Sequence, residues 1–140
     1  MERAFNGLSS IGQINLPVHD LETSISFYRN SLGMKFLFQV PNMAFFDCGG
    51  VRLLLAIPEE HAARHQGSII YFKVDEIQNA TNALRERGVS IIADPELVAE
   101  MPDHDLWMSF FKDPSENTLA LMSEIPRPDR VSSSNSGANK

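Results

Sequence analysis

The strongest constraint on this chain is that its first half begins again halfway along. Pro17-Val18-His19-Asp20-Leu21 matches Lys73-Val74-Asp75-Glu76-Ile77, and each is followed by helical spacing and then a glycine, Gly33 or Gly88. The step from Leu21 to Ile77 gives a period near 56 residues. Repeats that stack into a solenoid need at least about three copies to bury their faces, so two copies predict a pseudo-two-fold pair instead. A length of 140 residues suits one compact domain, or two small halves sharing a core.

Each half reads as strand, helix and three strands. Ile11 to Leu16 is a predicted strand closed by Pro17, and Asp20 is a plausible N-cap. Leu21, Ile25, Tyr28 and Leu32 recur at helical spacing, joined by Phe27, until Gly33 ends the helix. Strands follow at Lys35 to Val40, Met43 to Cys48 and Val51 to Ile57, with a Gly49-Gly50 hairpin turn before the last. In the second half, Ser68 to Val74 is a strand and Ile77, Ala80, Thr81 and Leu84 mark a helix that Gly88 closes. Val89 to Ala93 is a strand, Leu97 to Met101 suits either strand or loop, and Leu106 to Phe111 is a strand. Asp113 to Asn117 forms a turn before a final strand, Thr118 to Ser123. The predicted modules are 8–60 and 66–125, followed by a Ser/Asn/Gly-rich tail over 126–140 expected to be disordered. His61 and His65 stand four apart in the polar linker, but the Glu of a His-Glu-x-x-His motif and a third ligand are missing, which favours a solvated helix.

Charge excludes some partners. A net charge of −6 with scattered Lys and Arg argues against nucleic acid or an anionic membrane. No apolar run approaches the roughly 20 residues that cross a bilayer. The first residues lack a secretory signal pattern, and a single cysteine, Cys48, fits a reducing cytoplasm. Cys48 reads as a small hydrophobe rather than a nucleophile.

Gln13 and Asn15 share one face of the first strand, opposite Ile14 and Leu16. That polar face meets water or lines a pocket.

The stretch Val18-His19-Asp20-Leu21 with Ser26-Phe27-Tyr28-Arg29-Asn30-Ser31-Leu32-Gly33 resembles the opening module of the vicinal oxygen chelate superfamily, which holds glyoxalase I, bleomycin-resistance proteins and extradiol dioxygenases. Phe111-Lys112-Asp113-Pro114-Ser115-Glu116-Asn117 resembles that family's Asp-Pro-x-Gly-Asn signature, with Glu116 in place of the glycine. The resemblance implies an α+β fold of two βαβββ modules forming a curved mixed sheet around a cavity, helices outside, and homodimerisation. Gln13 and Asn15 would then point into the cavity, with Ile14 and Leu16 beneath the helix.

Metal-dependent relatives hold a divalent ion in that cavity. Carried over position by position, the resemblance places their ligands at Gln13, Ile69, Leu53 or Leu54, and Ala120. A divalent cation needs several oxygen or imidazole donors converging at about 2.0–2.6 Å. One amide among hydrocarbon cannot supply them, so no metal and no cofactor are predicted.

The expected function is therefore binding of a small organic molecule, by sequestration or metal-free acid–base chemistry. The alternative is a metal-dependent lyase, isomerase or dioxygenase. The candidate ligand-binding residues are Gln13, Asn15, Phe46 (or its neighbour Phe45), Arg52, Tyr71, Trp107 and Met122. His104, next to Asp103 and Asp105, is the candidate acid–base residue. Trp107 would wall the ligand or fill the core.

Overall fold

The computed structural model describes residues 5–58 and 67–127. His61 and His65, and the tail from residue 128, lie outside the described residues. Strand β1 (Gln13–Pro17) leads into α1 (Leu21–Ser26), which passes into a π-helical turn over Phe27–Ser31. Then come β2 (Lys35–Val40), β3 (Met43–Cys48) and β4 (Val51–Ala56). The second module is β5 (Ile70–Lys73), α2 (Ile77–Glu86), β6 (Ser90–Glu100), β7 (His104–Lys112) and β8 (Thr118–Pro126). The expected α+β architecture is present as two four-stranded mixed sheets, ordered β1-β4-β3-β2 and β5-β8-β7-β6. In each, the first strand runs parallel to the last and the rest are antiparallel. Among the described residues no helix is long and apolar enough to cross a membrane.

The π-turn has a cause in the sequence. Leu21 to Gly33 spans twelve steps, whereas Ile77 to Gly88 spans eleven. The extra residue is absorbed where the Leu32 amide donates to the Phe27 carbonyl, five residues back, at 2.9 Å. Both helices then stop at glycines in the left-handed region, Gly33 at φ 71° and Gly88 at φ 86°. At its other end α1 is capped as expected, the Asp20 carboxylate accepting from the Thr23 amide at 3.0 Å.

One core serves both modules. Leu16, Phe46, Leu53 and Leu55 of the first sheet cluster with Phe111, Leu119 and Leu121 of the second, and with Ile25, Tyr28, Ile77 and Leu84 from the helices. Burying each such side chain contributes about 1.5–3 kcal/mol before chain entropy is subtracted. The opposite face of each sheet is left open.

Several strand limits differ from expectation. β1 starts at Gln13 rather than Ile11, which is 63% exposed. The undecided segment joins its neighbour: β6 runs unbroken through Pro95, allowed because it is the sheet's free edge and its register shifts along its length. β8 continues to Pro126, and the Arg127 amide donates to the Asp103 carbonyl at 3.1 Å, so the ordered second module passes residue 125.

Candidate functional site

Strand register sorts the candidates by face. Gln13 lies beside Arg52, Asp47 and Lys35 across the first sheet, and Asn15 lies beside Leu54, Phe45 and Phe38. These rows alternate with the core residues and occupy the open face. Gln13, Asn15 and Arg52 are exposed there, and Phe38 stacks on Phe45 with ring centroids 4.6 Å apart. On the second sheet, Tyr71 lies beside Ala120 and Phe110, and Lys73 lies beside Met122 and Met108. Tyr71 meets Phe110 edge-on at 6.1 Å. Each open face thus mixes apolar side chains with polar ones: Gln13, Asn15, Arg52, Asp47 and Lys35 on one, Tyr71, His104 and the ion pair Lys73–Glu124 (3.3 Å) on the other.

Two candidates lie elsewhere. Phe46 is fully buried on the helix side, 6.0 Å from Tyr28 and 5.4 Å from Phe36. Its neighbour Phe45 takes the open face, an ambiguity that two adjacent phenylalanines create. Trp107 shares the phase of Ser109 and Phe111, so it too lies on the helix side, where it lines a hollow with Ile77, Asn79 and Ile125. Reading the strand as starting at Leu106 hid that phase. Trp107 is therefore packed against the core rather than placed with Gln13 or Tyr71.

His104 begins β7 on the open-face phase, opposite Pro126. Its Nδ1 stands 2.8 Å from the Asp103 Oδ1. A carboxylate only accepts, so Nδ1–H is the donor in this pair and Nε2 is the ring nitrogen outside it. The hydrogen bond from His104, then a backbone hydrogen bond, holds the Asp103 carboxyl below the usual range. Asp105 has a different role, pairing with Arg127, which also donates to the Met101 carbonyl.

The side chains at the four positions that the resemblance assigns to metal ligands do not make a divalent-ion site. Gln13 supplies a single amide oxygen. Leu54 is the open-face residue of its pair, since Leu53 is in the core, and Ile69 and Ala120 are hydrocarbon. Among the described residues no three His, Cys, Asp or Glu side chains gather.

A polar cluster built on the Asp113–Asn117 turn, the segment that carries the family-like signature, joins the modules. The Asp113 carboxylate accepts from the Tyr28 hydroxyl at 2.8 Å, from the Ser115 and Asn117 amides at 2.8 and 2.9 Å, and from Asn117 Nδ2 at 2.9 Å. Asn117 Nδ2 also donates to the Pro17 carbonyl and the His19 amide donates to Ser115 Oγ, each at 2.8 Å. Burial, then the Asp113 charge and hydrogen bond, push the Tyr28 phenol far above its ordinary range, so it stays a donor. The sequence signal was Asp-Pro-x-x-Asn itself, combined with a lone Tyr in the first helix.

The family model described as Glyoxalase/Bleomycin resistance protein/Dioxygenase superfamily matches residues 10–121. The chain is 27% identical over 126 residues to the uncharacterized protein YraH of Bacillus subtilis (strain 168), covering 78% of this chain and 94% of that one. Among solved structures, an integron cassette protein from the mobile metagenome of V. Cholerae superposes with TM-score 0.70 at 20% identity, covering 86% of this chain and 98% of that one. A superfamily member from Sphaerobacter thermophilus DSM 20745 gives TM-score 0.69 at 24% identity, covering 84% and 98%. These last two likenesses establish the fold.

Proposed function

The chain belongs to the Glyoxalase/Bleomycin resistance protein/Dioxygenase superfamily, and from that premise we propose that it binds a small organic molecule on the open sheet faces without the divalent ion of its metal-dependent relatives. The observation that carries this reading is chemical. Where the family's ligands would converge, this chain offers Gln13, Leu54, Ile69 and Ala120. The ligand instead meets apolar floors, Phe38, Phe45 and Leu54 on one sheet and Phe110, Met108 and Met122 on the other. Gln13, Asn15, Arg52 and Tyr71 anchor its polar groups. His104, oriented by Asp103, is placed to move a proton if the bound molecule reacts.

A homodimer belongs to the same reading. Phe38, Met43 and Tyr71 are each 40% or more exposed on the open faces, and a second copy would cover them and close the bowl. One cysteine among 140 residues suits the reducing cytoplasm.

Elemental analysis of the purified protein, with thermal-shift measurements over divalent ions, tests the metal-free reading. The expected result is no stoichiometric ion and no shift that depends on Gln13. A stoichiometric ion, or a shift abolished by Gln13→Ala, overturns it. A thermal-shift screen of aromatic drugs and short organic acids then tests the ligand face. Stabilisation lost in Arg52→Ala and Tyr71→Phe supports the assignment, and stabilisation indifferent to both sinks it. Sedimentation equilibrium reads the dimer.

A further inference from the structure

The repeat places two seams between the modules, and they are filled differently. Where α1 faces the β7–β8 turn, Tyr28, Asp113, Ser115 and Asn117 are buried and mutually bonded. Where α2 faces the β3–β4 turn, the turn is only Gly49-Gly50, and at the repeat's spacing Leu84 stands where Tyr28 does. A cavity of about 460 Å³ remains there, within the range typical of small-molecule sites. Its walls include Met34, Phe72, Ala83, Leu84, Phe111 and Leu121. Arg87 also lines it, as do Lys35 and the one carboxylate Asp47, cross-strand neighbours at the end of the first sheet's open-face row. Both cations are exposed, and neither has an ion-pair partner among the described residues, in a chain whose net charge is −6. Arg87 Nη1 donates to the Ser31 carbonyl at 2.9 Å, which fixes the guanidinium at the seam without neutralising it.

We propose that this inter-module cavity is a second binding site for a small amphipathic carboxylate, meeting the open face of the first sheet only where the Gln13–Arg52–Asp47–Lys35 row ends at Asp47 and Lys35. Its hydrocarbon lies among Phe72, Leu84, Phe111 and Leu121, and its carboxylate meets Lys35 and Arg87. Hydrocarbon walls reward an apolar body, while the excess of unpaired cations selects an anionic head over a neutral or cationic one.

The test titrates the full chain with sodium octanoate and, separately, octan-1-ol, using calorimetry and saturation-transfer NMR. Both probes are expected to bind. Lys35→Met combined with Arg87→Met should weaken octanoate about tenfold and leave octan-1-ol within about twofold. Ala83→Phe, which puts a ring into the cavity, should abolish both. Ala80→Leu is the filling variant to use if circular dichroism shows that Ala83→Phe has not folded. Absence of binding by either probe overturns the proposal, as does octanoate binding that survives filling. Equal weakening of both probes by the charge variant overturns the assignment of the carboxylate. Binding that survives filling but falls with Arg52→Ala would move the probe to the open face, sinking this proposal and leaving the reading of that face intact.

Discussion

Helix α1 meets the opposite module through the five-residue turn Asp113–Asn117, whereas α2 faces a two-glycine turn across a cavity. The same unit, used twice, has made one seam a dense polar latch and the other a hollow. The difference begins with turn length: five residues bring a carboxylate, a hydroxyl and an amide into the crevice, whereas Gly49-Gly50 brings no side chains. The helices answer in kind, with Tyr28 on the latched side and Leu84 on the other. Beyond the shared core, buried polar bonding between the modules is concentrated at one seam, while the other is crossed by the Arg87–Ser31 hydrogen bond beside a cavity. A shallow depression does remain beside the latch, but it lies on the exposed side of α1, around Glu22, Thr23, Ser26 and Pro114.

The largest expected effect comes from breaking the latch. Asp113→Ala strands the Tyr28 hydroxyl and two backbone amides in a buried site and removes one of the two acceptors of Asn117 Nδ2, and should cost about 3–5 kcal/mol in urea unfolding. Tyr28→Phe, which leaves the carboxylate its three other donors, should cost about 1–3 kcal/mol. Tyr28 also gives this seam a pH signature. Its folded pKa is raised above the unfolded value of about 10, so its contribution is complete below that pH and declines as the phenol of the unfolded chain ionises. Unfolding free energy should fall above about pH 10, and Tyr28→Phe should reduce that slope. An unchanged slope, or an Asp113→Ala variant as stable as the parent, would remove the contrast between the seams.

At the repeat's spacing Ile25 of α1 corresponds to Thr81 of α2. Both are buried, but Thr81 Oγ1 has no hydrogen-bond partner. An unsatisfied buried hydroxyl is a cost that a methyl group of similar shape does not carry. Thr81→Val should therefore stabilise the protein by about 1 kcal/mol, whereas Ile25→Thr should destabilise it by more. A destabilised Thr81→Val variant would mean that the hydroxyl has a partner in solution, and the second helix would be less loosely packed than it looks.

Which parts of this were legible in the sequence follows from how much each signal depends on local chemistry. The repeat, both helices and the hairpin glycines were readable because capping, periodicity and left-handed glycines act within a few residues. The phase of β7 was not. His104-Asp105-Leu106-Trp107-Met108 mixes polar and apolar residues on both faces, and only pairing with β8 shows that Trp107 lies beneath α2. Phe45 and Phe46 were equally ambiguous, since the open face of this sheet is itself partly apolar. Gln13 and Asn15 sit on the face expected of them because Ile14 and Leu16 fix the strand's phase. The latch was the least legible element, since Tyr28 and Asp113 are separated by 85 residues and each has an ordinary local explanation. One departure at the latch can be tested directly. Glu116, where the resemblance expects glycine, has φ 70°, and Glu116→Gly should stabilise by up to about 1 kcal/mol by relieving that conformation.

Cys48 gives the smallest effect, and it reads the hollow seam. The thiol lines the cavity and is half-buried; burial, then the nearby Asp47 charge, push its pKa up. The thiolate is the form that reacts, so alkylation by iodoacetamide should be slow at neutral pH and should rise at higher pH than for an unfolded thiol. Asp47→Asn removes only the second cause, so it should recover part of the rate and not all of it. If octanoate occupies the cavity, it should slow alkylation further in the parent and have no effect in Ala83→Phe. Alkylation as fast as in the unfolded chain would mean that this seam opens readily to solvent, and a hollow held between two firmly packed modules would no longer describe it.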